Sequence, residues 1–293
     1  MISANRVSAS TFFFSLSAAV LLSADADGQV NAGQPIFSSA SNMGWISYGP
    51  DFIPEPTGPQ PITFDPAHPF VENGIEYNAA RPGTKDESVQ STFPVADLTN
   101  PILQPWAREE LRKLNERVLS GRPLYSRQSS CWPMGVPGFL LYVVNPLFFL
   151  QTPKEVVIIA QSDHMVRHVY LNVPHSRNPK PSWFGESVGR YEGDTLVVDT
   201  IGVTTKAFVD NYRTPHSEKL HVVERFRMIE DGKTMEVKVH VEDPGAFTTP
   251  WDVSQRYVRS TREPMVETIC AENNTNYFNV EIDPMPEARK PDF

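Results

Sequence analysis

The chain has 293 residues, of which 40% are hydrophobic and 21% charged. These proportions are ordinary for a globular protein with a buried core. The formal net charge of −9 argues against nucleic acid or an anionic membrane as a partner, because both need a cationic protein surface. The 27 prolines favour extended connections over long helices.

The N-terminus has the order of a secretory signal peptide. Arg6 precedes a short apolar run at 11–22, and the small-x-small motif at 24–26 predicts cleavage after Ala26. The alternative is a membrane anchor, but the run is short for the roughly 30 Å of a bilayer's hydrocarbon core. We therefore predict that residues 1–26 are removed, and that the mature protein is periplasmic or secreted, without stable membrane insertion.

Cys131 and Cys270 are the two cysteines of the chain. In an oxidising compartment such a pair predicts one disulfide. Two buried free thiols are the alternative. No CxxC spacing is present, so a cysteine-based metal site is not indicated.

Residues 27–102 are rich in proline and lack the periodicity of a helix or a central strand. Aromatic residues nevertheless recur there, which is not typical of a disordered tail. They are Trp45, Tyr48, Phe52, Phe64, Phe70 and Tyr77. We expect an extended arm that wraps a folded domain formed by residues 103–293. That domain begins with the one convincing helix pattern, which starts near Pro105 and has Gly121 where a C-cap belongs.

From Phe139 onward the pattern is that of successive strands. The apolar run 140–150 is expected to form a buried strand pair broken at 145–146. Further pairs are expected at 155–161 with 166–171, 187–191 with 195–201, 220–229 with 234–241, and 251–259 with 265–270. Such a meander removes its free edges by closing. The predicted fold class is mainly β: an antiparallel β-barrel or strongly curved meander sheet with one short α-helix and a long proline-rich arm.

Two sequence blocks carry a family resemblance. Residues 183–200 read WFGESVGRYEGDTLVVDT, and residues 215–227 join PHS to LHVVERFR. With shorter matches at 242–244, 250–251 and 270–274, the chain from about 105 to 274 resembles a family of exported, largely uncharacterised bacterial proteins. The resemblance implies a periplasmic protein and names no reaction. The hairpin order is also similar to lipocalin-type (calycin) barrels, by fold analogy only.

Three charged residues interrupt apolar rows on predicted strands. Glu224 does so on 220–229, Arg167 on 166–171, and Asp199 on 195–201. Because a buried charge needs a partner, the three residues either satisfy one another structurally inside the barrel or form the polar base of a cavity. In a cavity, a desolvated carboxylate can act as a general acid or base.

The histidines give a second set of candidates. His164, His175 and His216 lie in loops, where binding sites usually form. They could bind zinc if they converge, but no HxH or HExxH spacing supports a site, so no metal is predicted. His240 shares a face with other charged residues and is given no role. The candidate ligand-binding residues are Asp163, His175, Trp183, Arg190 and Trp251.

The function predicted from these residues is that of a cofactor-free acid–base enzyme, a lyase, isomerase or hydratase. Its substrate would be a small, mostly apolar metabolite. Glu224 would be the acid or base, Arg167 would hold an anionic group or developing charge, and His216 or His164 would be the second proton carrier. Asp199 completes the predicted catalytic set. A non-catalytic ligand-binding protein of the same fold and a metal-dependent hydrolase are the alternatives.

Overall fold

The computed structural model describes residues 33–38, 43–47, 70–72, 75–77, 96, 98–119, 131–141, 146–161, 165–210, 213–261, 264–270, 276–277 and 280–281. The predicted signal peptide and most of the predicted arm lie outside these residues. Two helices are described, α1 Pro105–Leu119 and the short α2 Gly138–Leu141. Neither of them is long and apolar enough to cross a membrane.

Nine of the described strands close into a barrel. They are β1 Trp45–Ser47, β4 Leu147–Gln151, β5 Glu155–Ala160, β6 Met165–Leu171, β7 Glu186–Glu192, β8 Thr195–Ile201, β9 His221–Ile229, β10 Thr234–Glu242 and β11 Trp251–Arg259. The order around the barrel is β1-β11-β10-β9-β8-β7-β6-β5-β4. The strands β2 Phe70–Glu72 and β3 Ile75–Tyr77 pair separately, as do β12 Asn276–Tyr277 and β13 Val280–Glu281. The prediction of a mainly β barrel is confirmed.

The tight hairpins follow from turn residues with left-handed backbone. Gly193 (φ 62°) connects β7 to β8, and a 3₁₀ turn at Glu230–Gly232 connects β9 to β10. One pair departs from an antiparallel meander, because β6 and β7 are parallel, with Val169 opposite Ser187. Parallel neighbours need a long connection, and residues 172–185 provide it. We call this segment the crossover.

The strand β1 closes the barrel between β4 and β11. It lies in the segment where the sequence predicts an arm rather than a strand. Its close approach depends on Gly44, where an added Cβ would lie 2.5 Å from Pro146 Cβ and 2.9 Å from Phe148 Cζ. Trp45, one of the aromatic residues that recur in the predicted arm, is fully buried.

Two predicted strands are wrong. Of the described residues in the run 140–150, 140–141 end α2 and 147–150 belong to the single strand β4, since a short apolar run has no periodicity to separate helix from strand. The segment 265–270 forms no strand. The edge of β11 that it was expected to pair with is taken by β1, and Met265, Val266 and Ile269 remain exposed.

The predicted disulfide is confirmed, with Cys131 Sγ and Cys270 Sγ 1.95 Å apart and a sequence separation of 139. Inside the barrel, alternate residues of each strand point inward and form the core. On β10 that row is wholly apolar, namely Met235, Val237, Val239 and Val241.

Candidate functional site

Four polar side chains meet inside the barrel, and we call them the buried quartet. Arg167 from β6, Ser187 from β7, Thr200 from β8 and Glu224 from β9 occupy inward positions on four consecutive strands. Arg167 is 1% exposed and Glu224 0%. The structure therefore brings together two of the predicted catalytic residues.

All three guanidinium nitrogens of Arg167 donate hydrogen bonds within the quartet. Arg167 Nη1 donates to Glu224 Oε1 at 2.9 Å and Nη2 to Glu224 Oε2 at 2.5 Å. Nη2 also donates to Thr200 Oγ1 at 2.8 Å, and Nε to Ser187 Oγ at 3.1 Å. A general acid or base must reach the proton that it moves, whereas both Glu224 oxygens face the guanidinium and none of the side chain is exposed.

Asp199 does not belong to the quartet. It lies on the outer face of β8, opposite Val223 of β9, and the adjacent Thr200 points inward instead. The expectation that Asp199 joins Glu224 inside the barrel is therefore wrong. The alternation on β8 misleads because Val197, on the outer face, is also buried, between its cross-strand partners Arg190 and Arg225. Long arginine stems can cover apolar surface in this way.

Asp199 instead belongs to an outer-face network of alternating imidazoles and carboxylates, which we call the His–carboxylate chain. Its members, in order of contact, are Glu186, His175, Asp199, His221, Glu242, His240 and Asp252. It runs from the crossover across β7, β8, β9, β10 and β11 at one end of the barrel. Its side chains are between 22% and 66% exposed.

Every imidazole nitrogen of this chain faces a carboxylate. Asp199 Oδ1 lies 2.9 Å from His175 Nε2 and 3.0 Å from His221 Nε2. The other nitrogens of these rings face Glu186 at 3.0 Å and Glu242 at 3.4 Å. A neutral imidazole has one N–H and can donate to only one of its two carboxylates, so the imidazolium is the form that satisfies both.

The contacts within the chain also shift the pKa values of three of its members. Burial by itself would lower the pKa of His240, but the hydrogen bonds to Asp252 and Glu242 raise it above its ordinary 6.5. The hydrogen bonds from His240 and then His221 lower the pKa of Glu242. The hydrogen bond from Ser176, ahead of that from His175, lowers the pKa of Glu186.

A third cluster fills another part of the barrel interior. Phe37, from the described segment 33–38, is fully buried. Its ring centroid lies 5.3 Å from that of Phe149 on β4 and 6.2 Å from that of Phe226 on β9. The Phe149 and Phe226 rings are 5.9 Å apart. Phe37 thus stands among inward-facing barrel residues although it belongs to no barrel strand.

Gln151 attaches this segment to the barrel. Its Oε1 accepts hydrogen bonds from the backbone of Phe37 at 2.7 Å and Ser38 at 3.3 Å. Its Nε2 donates to Pro35 O at 2.9 Å and to Tyr191 Oη at 2.8 Å. A second tie is Trp45 Nε1, which donates to Phe37 O at 2.8 Å.

The other predicted site residues are dispersed. His216 is buried, and Nδ1 donates to Ser217 O at 2.9 Å; burial lowers the pKa of its imidazole. Trp251 packs in the core against Phe247, with ring centroids 5.8 Å apart. Trp183 stacks at a tilt on Trp132. The exposed Arg190 donates to Glu192. Asp163 and His164 lie outside the described residues.

The sequence identified the charged residues of the barrel interior but not their uncharged hydrogen-bond partners. Ser187, Thr200 and Gln151 occupy inward positions that strand alternation marks only once the register is known. His240 is given no role by the sequence because it shares a face with other charged residues, yet outward residues on neighbouring strands, such as His221 and Glu242, contact one another on the outside of the barrel.

Among the described residues, no group of three or more histidine, cysteine, aspartate or glutamate side chains could hold a metal ion. In comparisons with protein-family models, curated proteins and solved structures, nothing matches the chain. The resemblance of blocks 183–200 and 215–227 to an exported bacterial family therefore stays a prediction.

Proposed function

We propose that this is an exported protein that binds a small, mostly apolar and aromatic ligand inside its barrel without transforming it. The observation that carries the proposal is the position of Phe37, a fully buried ring supplied by a segment outside the barrel strands. Barrels of about eight strands are just wide enough to hold either packed side chains or one small ligand. Here an aromatic side chain of the chain itself takes the place that a ligand would occupy.

The chemistry around Phe37 fits such a ligand. Two phenyl rings, Phe149 and Phe226, supply the edge and face contacts that favour another aromatic group. Gln151 and Tyr191 add an amide and a hydroxyl beside them, which could orient a polar substituent. A ligand that displaced Phe37 would contact the rings of Phe149 and Phe226 and lie beside Gln151 and Tyr191.

Binding is favoured over the acid–base enzyme by the state of the buried quartet. Glu224 has both oxygens on Arg167, and the hydroxyls of Ser187 and Thr200 accept two further hydrogen bonds from the guanidinium. This is the pattern of a satisfied internal ion pair. A metal-dependent hydrolase has no supporting group among the described residues.

A substitution of Phe37 tests the proposal. Phe37→Ala should open an apolar space and bind an environment-sensitive dye, N-phenyl-1-naphthylamine, with 1:1 stoichiometry and at least about tenfold more tightly than the wild type, since each factor of ten is about 1.4 kcal/mol. Ile36→Ala is the matched control, because the neighbouring Ile36 is 60% exposed. Phe247→Ala is a second control, which removes a buried ring that packs against Trp251 instead.

The wild type should bind the same dye weakly, and small aromatic compounds should compete with it. Equal dye binding by Phe37→Ala and Phe247→Ala would mean that the dye reports general loosening. No binding by either the wild type or Phe37→Ala would remove the proposal.

Export is the second part of the proposal. It rests on the order of charge, apolar run and small residues before Asp27 and on the disulfide, which persists in oxidising compartments. Mass spectrometry of the protein from its natural host should find a mature N-terminus at Asp27. An intact Met1 in the membrane fraction would indicate an anchor instead.

A further inference from the structure

We propose that the His–carboxylate chain is a pH-dependent clasp, which fastens the crossover to the barrel wall at mildly acidic pH and loosens it at alkaline pH. This inference is independent of ligand binding at Phe37. It rests on the geometry of six imidazole nitrogens, each within 3.4 Å of a carboxylate oxygen.

The protonation state of the three imidazoles decides how well the chain holds together. With neutral imidazoles the seven members carry four negative charges, and with three imidazolium ions only one remains. Deprotonation also removes one N–H from each ring, so a nitrogen lone pair then faces a carboxylate oxygen. The added negative charge and the lost N–H both weaken the imidazole–carboxylate contacts that join the crossover and the strands.

Deprotonation of the imidazoles acts directly on the crossover, because His175 lies on it. His175 joins it to Glu186 on β7 and to Asp199 on β8. The backbone N–H of Ser176 donates to the same Glu186 oxygen at 2.7 Å. A further tie, Asn172 N to Gly189 O, lies at the start of the crossover and does not titrate.

Other charges on the elements that carry the chain do not compensate for it. They are Arg177 and Lys180 on the crossover, Arg190 and Glu192 on β7, Glu218 and Lys219 before β9, Glu224, Arg225 and Arg227 on β9, Glu236 and Lys238 on β10, and Arg256 and Arg259 on β11. Among the described residues, none of these forms an ion pair with a member of the chain. Arg190 and Arg225 are paired with Glu192, and Glu236 with Arg256.

Amide hydrogen exchange of the full chain tests the clasp. Protection factors, which correct for the intrinsic pH dependence of exchange, should fall about tenfold for Ser176 and its neighbours between pH of about 5.5 and 8. The strands β10 and β11, which the clasp touches only at their ends, should keep their protection.

Asp199→Asn removes the carboxylate that His175 and His221 share. In this variant the crossover should exchange rapidly at both pH values. His168→Asn is the matched control, since the half-exposed His168 on β6 pairs with Glu155 on β5 and is not a member of the chain. His175→Gln offers a second variant that removes only the crossover's own imidazole.

Protection of the crossover that is equal at both pH values in the wild type would overturn the proposal. So would a pH dependence that persists unchanged in both Asp199→Asn and His175→Gln. A loss of pH dependence in His168→Asn would show that His168, which is outside the His–carboxylate chain, causes the effect, and would also overturn the proposal.

Discussion

Arg167 joins four strands through one side chain. Its planar guanidinium presents donors in fixed directions, and the acceptors of Glu224, Thr200 and Ser187 lie along them. Ser187 and Thr200 also contact each other at 2.9 Å. Burial and then the Glu224 carboxylate raise the pKa of Tyr257 well above its usual 10, so that phenol stays neutral and donates to Leu140 O at 2.5 Å.

Breaking the Arg167–Glu224 pair should destabilise the protein strongly. Glu224→Gln leaves a buried cation without its counter-charge, which typically costs roughly 3–5 kcal/mol. At about 2–4 °C per kcal/mol for a domain of this size, thermal unfolding should show a melting temperature lower by about 10 °C.

Arg167→Met in the same chain should restore much of that loss, because it removes the stranded charge. Glu192→Gln is the matched control, since Glu192 is an exposed partner of Arg190 and Arg225; its melting temperature should hardly change. A Glu224→Gln protein that melts like the wild type would contradict the structural role of the pair and revive Glu224 as a working acid or base.

His240 makes a prediction about pH. Because its pKa is raised above 6.5 in the folded protein, its contribution to stability is fully present below about 6.5 and is lost as pH rises through the raised value. Glu242, whose pKa is lowered from 4.5, contributes above about 4.5 and loses that contribution as pH falls. The contact between His240 and Glu242 therefore makes its full contribution to stability between pH of about 4.5 and 6.5.

The measurement is the free energy of unfolding of the wild type and His240→Asn as a function of pH. The difference between them should be largest near pH 5.5 and should shrink toward zero by about pH 8.5. A difference that grows with pH would reverse the sign of the expected linkage.

At the scale of elements, the disulfide connects the segment before α2 to the segment after β11. It therefore encloses eight of the nine barrel strands, β4 to β11, in one covalent loop. Closing a loop of this length removes unfolded-state entropy worth about 4–5 kcal/mol in the chain-entropy model.

Cys131→Ser with Cys270→Ser should lower the free energy of unfolding by up to this amount. Denaturant titration with and without reductant gives a second measurement on the wild type, and the double variant, which has no thiols, should not respond to reductant. Two reactive thiols in denatured, unreduced protein would contradict the bond itself.

For the whole molecule, alternation predicted most of the barrel and two of the four members of the buried quartet, Arg167 and Glu224. The rows of β9 and β10 are unambiguous, because Glu224 interrupts one and nothing interrupts the other, and both rows point inward as expected. On β8 both rows look apolar, so Asp199 and Thr200 could not be told apart. The pairing of Arg167 with Glu224 was among the expected alternatives.

What the sequence could not predict depends on contacts between distant segments. The strand β1 has three residues and no alternating pattern of its own; the edges of β4 and β11 make it a strand. The parallel pairing of β6 and β7 depends on the route of the crossover, which composition does not record. The His–carboxylate chain likewise depends on contacts between separate elements, and of its seven members the sequence singles out only Asp199 and His175.

The strand that completes the barrel is also the one that the covalent loop leaves out. β1 and Phe37 precede Cys131, so the nine-stranded ring is a composite of a cross-linked eight-strand sheet and a separate N-terminal strand. Two copies can exchange that strand without altering any register, since each sheet would receive an identical β1. Refolding at high concentration should therefore yield strand-exchanged dimers, which dilute refolding avoids, and the dimers would carry in each barrel the Phe37 of the other copy.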